Sequence, residues 1–227
     1  MYPGAHAVLQ DLVWPPHAAT PRRRRRSPGN RARNPIKVGI DLDEAITSVC
    51  MDASLPPATR IDVAARAIVT RLGEMGVRVL STQEPLTATD LQIAPVADIL
   101  GVYSEKADDD TLVVVEVKCG SAAGRNVAVS DNNKSATFRV PFDGLRDTWK
   151  NRAHAQLALQ CACARLWAPR YRRVVGFLAC YNPDGEVLKM SPLSKTVDAQ
   201  LTPMLLEALR DLHRGCWRAR GALNEEK

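Results

Sequence analysis

The chain has 227 residues, with 31 lysines and arginines against 25 aspartates and glutamates, for a formal net charge of +6. That length suits one compact domain with a sizeable core, or one domain plus a loose tail, and 45% hydrophobic with 25% charged residues excludes a chain disordered throughout. No run of about 18 apolar residues occurs, which excludes a transmembrane helix and any membrane partner built on one.

The positive charge is concentrated at the start. Residues 1–40 carry eight basic side chains (Arg22 to Arg26, Arg31, Arg33 and Lys37) against Asp11, a net +7 that leaves the remaining 187 residues at −1. Residues 1–35 also hold six of the fifteen prolines. Prolines and like charges both oppose packing, so a disordered basic arm over 1–35 is predicted, followed by one domain over 36–227. The Arg22–Arg26 block attracts nucleic acid non-specifically and resembles a nuclear-import signal; a solvated tail without a partner is the other reading.

Pro56-Pro57 marks a boundary. Ile61, Ala64, Ala65, Ile68, Val69 and Leu72 then recur at three and four residues, which predicts a helix ending near Gly76. Strands are predicted at Val77–Glu84, Val96–Tyr103 and Leu112–Lys118, with a turn through Asp108–Asp110. Loop-like residues 120–144 lead to a long helix, Arg146–Trp167, stopped by Pro169. Val174–Tyr181 and Glu186–Met190 flank the turn signal Asn182-Pro-Asp-Gly185, and a last helix runs over Val197–Arg214. The six cysteines lie in apolar or helical stretches without a C-x-x-C pair, so buried thiols in a reducing, intracellular setting are expected; a cluster ligated by Cys161, Cys163, Cys180 and Cys216 is the alternative.

The third strand carries the informative conflict. Four consecutive apolar residues predict a strand buried on both faces, yet Glu116 and Lys118 follow on one side of it. Buried charges are costly unless they pair or hold a metal, and a simple Glu–Lys pair at a fraying strand end is the plain reading. Asp98 adds to this. It lies on the preceding strand, and a hairpin brings its carboxylate to the same face as Glu116. Two carboxylates with a backbone carbonyl make a hard oxygen site suited to Mg²⁺, and a neighbouring lysine can orient a water against a phosphate.

Asp98 followed by Glu116-Val117-Lys118 resembles the signature of the PD-(D/E)XK nuclease superfamily. Gln156, in His154-Ala-Gln-Leu-Ala-Leu-Gln160 on the next helix, is similar to the glutamine helix of its lambda-exonuclease branch. The resemblance runs from about residue 58 to 214. It implies an α/β fold of the restriction-endonuclease-like class, a mixed β-sheet core flanked by helices in the order α-β-β-β-α-β-β-α. It further implies that Asp98, Glu116 and the Val117 carbonyl ligate Mg²⁺ or Mn²⁺, that Lys118 positions the attacking water, and that Gln156 holds the lysine or the scissile phosphate. Asp62 on the first helix and Glu84 on the first strand are candidates for an additional acidic group. The implied activity is a metal-dependent DNA nuclease, an exonuclease leaving 5′-phosphate products during recombination, repair or end processing, in the manner of a large DNA virus or phage. A single-strand annealing protein and a homo-oligomer are the implied partners besides DNA. A catalytically idle nucleic-acid-binding module and a structure-specific or restriction-type endonuclease are the competing readings.

The stretch 145–173 sums to +6, which leaves −7 for the rest of residues 41–227. Arg146, Lys150, Arg152, Arg170, Arg172 and Arg173, with Lys134 in the preceding loop, are therefore the expected nucleic-acid contacts.

Overall fold

A computed structural model describes residues 2–14, 35–52, 54, 56–103, 111–120, 136–139, 142–182 and 187–213. In chain order the elements are α1 (Ala5–Leu12), α2 (Pro35–Met51), α3 (Arg60–Glu74), β1 (Val77–Pro85), a single 3₁₀ turn (Thr89–Leu91), β2 (Val96–Tyr103), β3 (Thr111–Cys119), α4 (Trp149–Trp167), β4 (Arg173–Asn182), β5 (Val187–Pro192) and α5 (Lys195–His213). The predicted order from α3 onward is the observed one, with two further helices ahead of it.

The five strands form one sheet in the order β1-β2-β3-β4-β5. β1–β2, β2–β3 and β4–β5 are antiparallel, whereas β3 and β4, joined through α4, are parallel. A hairpin can join antiparallel neighbours, but parallel strands need a long crossover, and the helical pattern of 149–167 supplies it. Each sheet face buries a separate apolar layer. Leu112, Val114 and Leu178 pack with residues of α1, α4 and α5, while Val113, Val115 and Val117 pack with residues of α2 and α3. This alternation along β3 makes it central and dry on both sides, as its valine run predicts. The mixed sheet with helices on both faces fits the restriction-endonuclease-like fold class.

Gly176 sets how closely α4 approaches. A Cβ there would lie 2.8 Å from Cys161 Sγ and 3.0 Å from Leu157 Cγ, so only glycine allows the helix to seat directly on β4. Cys161 and Cys163 are buried within α4, and burial pushes both thiols up to about 12.

The N-terminal arm is corrected at its beginning. Val8, Leu9, Leu12, Val13 and Trp14 are buried in the same layer as α4 and α5. The Pro3 carbonyl accepts from Ala94 N at 3.0 Å, the Val13 carbonyl from Arg139 N at 2.7 Å, and the Asp11 carbonyl from the Arg139 guanidinium at 2.6 Å. The apolar spacing of a short amphipathic helix was present in residues 5–14, and their core contacts outweigh the proline- and arginine-rich composition that follows. Residues 15–34, including Arg22–Arg26, lie outside the described residues. Deleting residues 1–14 should therefore cost about 3 kcal/mol through lost apolar burial, lowering the thermal midpoint by roughly 6–12 °C. An unchanged melting curve would restore the arm.

Candidate active site

The paired register of β2 and β3 ends at Ile99–Val115, and one further step places Asp98 opposite Glu116. There the ladder gives way to side-chain bonds. Val117 N donates to Asp98 Oδ2 at 2.6 Å, and the Gln83 amide approaches Asp98 Oδ1 at 3.5 Å. Glu116 is 1% exposed and meets Lys118 Nζ through Oε1 and the Gln160 amide through Oε2. Gln160, wholly buried, also donates to the Val96 carbonyl at 2.6 Å and so ties α4 to β2 across β3.

These groups open onto a cavity of about 460 Å³ lined by Asp98, Glu116, Val117, Lys118 and Cys119, by Gln156 of α4, and by Gly39, Ile40, Leu42 and Asp43 of α2. Asp43 is the acidic residue that sequence reasoning missed. Its signal was available, because Val38, Leu42, Ala45, Ile46 and Val49 repeat at helical spacing before Pro56 and place Asp43 beside the buried stripe.

The electrostatics follow from crowding three carboxylates in a partly dry site. Desolvation, then the Glu116 charge, raises the Asp43 carboxyl to about 6 despite Lys118. Asp98 is raised well above the usual carboxylate range by burial first and Glu116 next, with the Val117 N–H and Lys118 opposing. Burial acts to lower Lys118, but Glu116, Asp98 and Asp43 outweigh it and hold the ammonium above its ordinary value. The site thus keeps one fixed cation among acids that compete for it.

Gln156 lines the cavity, but it is Gln160, one turn on, that contacts Glu116. Asp62 is not brought to the site. It closes a capping box at the start of α3, where Oδ2 accepts from Thr59 N at 2.8 Å and Asp62 N donates to Thr59 Oγ1 at 3.2 Å. The Thr59-x-x-Asp62 spacing is a helix-start signal, and that use accounts for it. Glu84, on β1, pairs with Ala97 of β2 and does not line the cavity.

The basic stretch is divided. Arg152 is buried, its guanidinium bonded to Asp147 at 2.6 and 2.8 Å and stacked 4.7 Å from the Trp14 ring, so it is corrected from a nucleic-acid contact to a core ion pair. Arg173 pairs with Thr111 at the start of β3, five residues before the Glu116–Leu178 row. At about 3.3 Å per residue, this puts Arg173, with Arg170 and Arg172 just ahead of it, roughly 16 Å away from the carboxylates, at the opposite end of the sheet. Arg146 and Lys150 are exposed near the start of α4. Lys134 lies outside the described residues.

His154 is buried on α4, where Nδ1 accepts from Ser194 N at 3.3 Å. Desolvation, then Lys150, lowers it from 6.5 to about 4, so the folded protein keeps the ring neutral. Its stabilising contribution is complete above pH 6.5 and is lost as pH falls towards 4, because the unfolded chain takes the proton first. Between pH 7.5 and 5 the stability gap between wild type and His154→Gln should shift by about 2 kcal/mol in the variant's favour, read from urea unfolding at the two pH values. A constant gap would mean that the ring is not held neutral.

Among the described residues, no three His, Cys, Asp or Glu side chains are gathered tightly enough to hold a metal ion. This removes Cys161, Cys163 and Cys180 as three ligands of one cluster; Cys216 lies outside the described residues. No family model matches the chain, and no curated protein matches it. Among solved structures, the chain is similar to a protein from Eubacterium rectale provisionally described as an exonuclease, at 12% identity over 80% of this chain and 68% of that one, with a TM-score of 0.44. It is also similar to an alkaline exonuclease from Laribacter hongkongensis, at 12% identity over 84% and 92% of the two chains, with a TM-score of 0.32.

Proposed function

We propose that this chain is a metal-dependent deoxyribonuclease, an exonuclease that hydrolyses phosphodiester bonds at DNA ends to leave 5′-phosphates, in recombination, repair or end processing. The observation that carries this reading is the convergence of Asp98, Glu116, Lys118 and Asp43 on one cavity from three separate elements. Three carboxylates offer hard oxygen donors only, which fits Mg²⁺ or Mn²⁺ and disfavours softer ions. Asp98, Asp43 and Glu116 would hold the ion by drawing together from their present placement, in which they are not gathered tightly enough to do so, with Glu116 released from part of its bonding.

A bound divalent ion would supply Lewis-acid polarisation of the scissile phosphate. The chain's own groups do the rest. Val117 N–H fixes the Asp98 carboxylate, and the Gln160 amide fixes Glu116. Lys118, held charged, donates to a water or a phosphate oxygen beside it and stabilises negative charge as the water oxygen bonds to phosphorus and the bond to the 3′ oxygen breaks. The attacking water gives up one proton to solvent, the departing 3′ oxygen takes one up, and the phosphate stays on the 5′ side.

One observation favours the second reading, a binding module without activity. Both Glu116 oxygens are engaged by Lys118 and Gln160, as a strand end neutralised for stability would be. Incubating end-labelled linear duplex DNA with the protein in Mg²⁺, Mn²⁺ or EDTA decides between them. Metal-dependent release of label from linear DNA, with closed circles left intact, supports the exonuclease. Nicking of closed circles would instead indicate an endonuclease, and retention of intact label on bound DNA the idle module.

A further inference from the structure

Lys118 stands directly opposite Cys180 in the β3–β4 register, and Cys180 stands directly opposite Lys189 in the β4–β5 register. Directly paired residues of neighbouring strands share a face, so the three form one row across the sheet. Cys180 packs in the layer beneath α4, while Leu188 and Met190, on either side of Lys189, pack against the opposite layer. Lys189 is therefore on the α4 face, two strands from Lys118 and about 10 Å away backbone to backbone. α4 runs antiparallel to β3, since Gln160 meets Glu116 while the earlier Gln156 lines the cavity with Lys118. Lys150, earlier still, lies further along α4 towards the carboxyl ends of β3 and β4. Lys150 and Lys189 are exposed, and neither has a carboxylate partner among the described residues.

Resting on the reading of the chain as a DNA-acting protein, we propose that Lys189 and Lys150 form a phosphate-binding subsite beside Lys118, so that one DNA strand crosses the carboxyl ends of β3 and β4 and the adjoining amino end of β5. The Cys180 thiol between the lysines contributes no competing anion: burial raises it to about 11, although Lys118, Lys189 and Lys150 all act to lower it. The backbone thus leaves the carboxylates across the strands, away from the arginines at the other end of the sheet. Lysine is a compact point charge suited to phosphate, and each phosphate it neutralises releases counterions.

The test is equilibrium binding of a short blunt duplex in EDTA, titrated with salt, using the full chain. Lys189→Ala should weaken binding about three- to tenfold near 0.1 M salt and flatten the slope of log K against log salt by about 0.9. Lys189→Glu should weaken it further, Lys189→Arg should restore the slope, and Arg173→Ala should match wild type. A wild-type slope in Lys189→Ala, or an equal loss in Arg173→Ala, overturns the subsite while leaving the nuclease reading intact. A wild-type protein that binds no duplex at low salt overturns both. Melting curves of the variants identify any loss that comes from unfolding, and the charge-preserving Lys189→Arg then decides.

Discussion

Glu116→Gln should lower cleavage of linear duplex DNA by at least about 10³-fold while leaving DNA binding in EDTA near the wild-type value. The substitution keeps the shape of a side chain that is almost wholly enclosed, but it removes the charge that organises the site. Glu116 holds the Lys118 ammonium, receives the Gln160 amide and raises both Asp98 and Asp43. Its neutral counterpart would offer a divalent ion one anionic donor fewer and leave Lys118 without its nearest counter-charge. Lys118→Ala should lose about 10²- to 10⁴-fold by removing the donor to the reacting phosphate, and Asp43→Asn should also lose activity, whereas Asp62→Asn should not. The contrast between Asp43 and Asp62 is the sharper test of the site, because Asp62 caps a helix. Activity in Glu116→Gln within tenfold of wild type would remove this cavity as the catalytic centre.

Arg152→Ala should destabilise the protein by about 3–5 kcal/mol, lowering the thermal midpoint by roughly 10 °C or more, with the salt slope of DNA binding unchanged. The guanidinium makes two bonds to Asp147 and stacks on Trp14, so truncation strands a buried carboxylate and uncovers an aromatic ring. Arg152→Lys should recover little, because an ammonium cannot make the paired bonds of the planar fork. Replacing both partners, Arg152→Met with Asp147→Leu, should recover most of the loss, since no unpaired charge then remains. A shallower salt slope with an unchanged midpoint would return Arg152 to the nucleic-acid contacts.

Asp98, Glu116 and Lys118 were legible because β3 is a local exception. A run of apolar residues predicts burial on both faces, so charges that continue it need a reason, and period two puts them on one face. Antiparallel pairing of β2 and β3 then leaves few ways to place Asp98; the turn expected at Asp108–Asp110 lies outside the described residues. Arg152 was not legible. A sum of charge over 145–173 treats the stretch as one surface, but a 19-residue helix is about 28 Å long and has a buried side. Its neighbour across the contact, Trp14, lies 138 positions earlier, where composition suggested no packing at all.

The same division separates Gln156 from Gln160 and Asp43 from Asp62. Both glutamines lie on one face of α4 by helical spacing, and only the height at which the helix sits on β3 and β4, set in part by Gly176, selects Gln160 for Glu116. Asp62 sits in the first turn of α3 and Asp43 midway along α2, and only the packing of α2 against the sheet brings Asp43 to the cavity. By itself the sequence determined strand periodicity, the crossover and the charged end of β3, because these depend on neighbours within a few residues. The tertiary structure alone decided which distant side chains share a few ångströms of low-dielectric space, because that depends on how whole elements pack, and there the carboxylates, the lysine and their supporting amides acquire their chemistry.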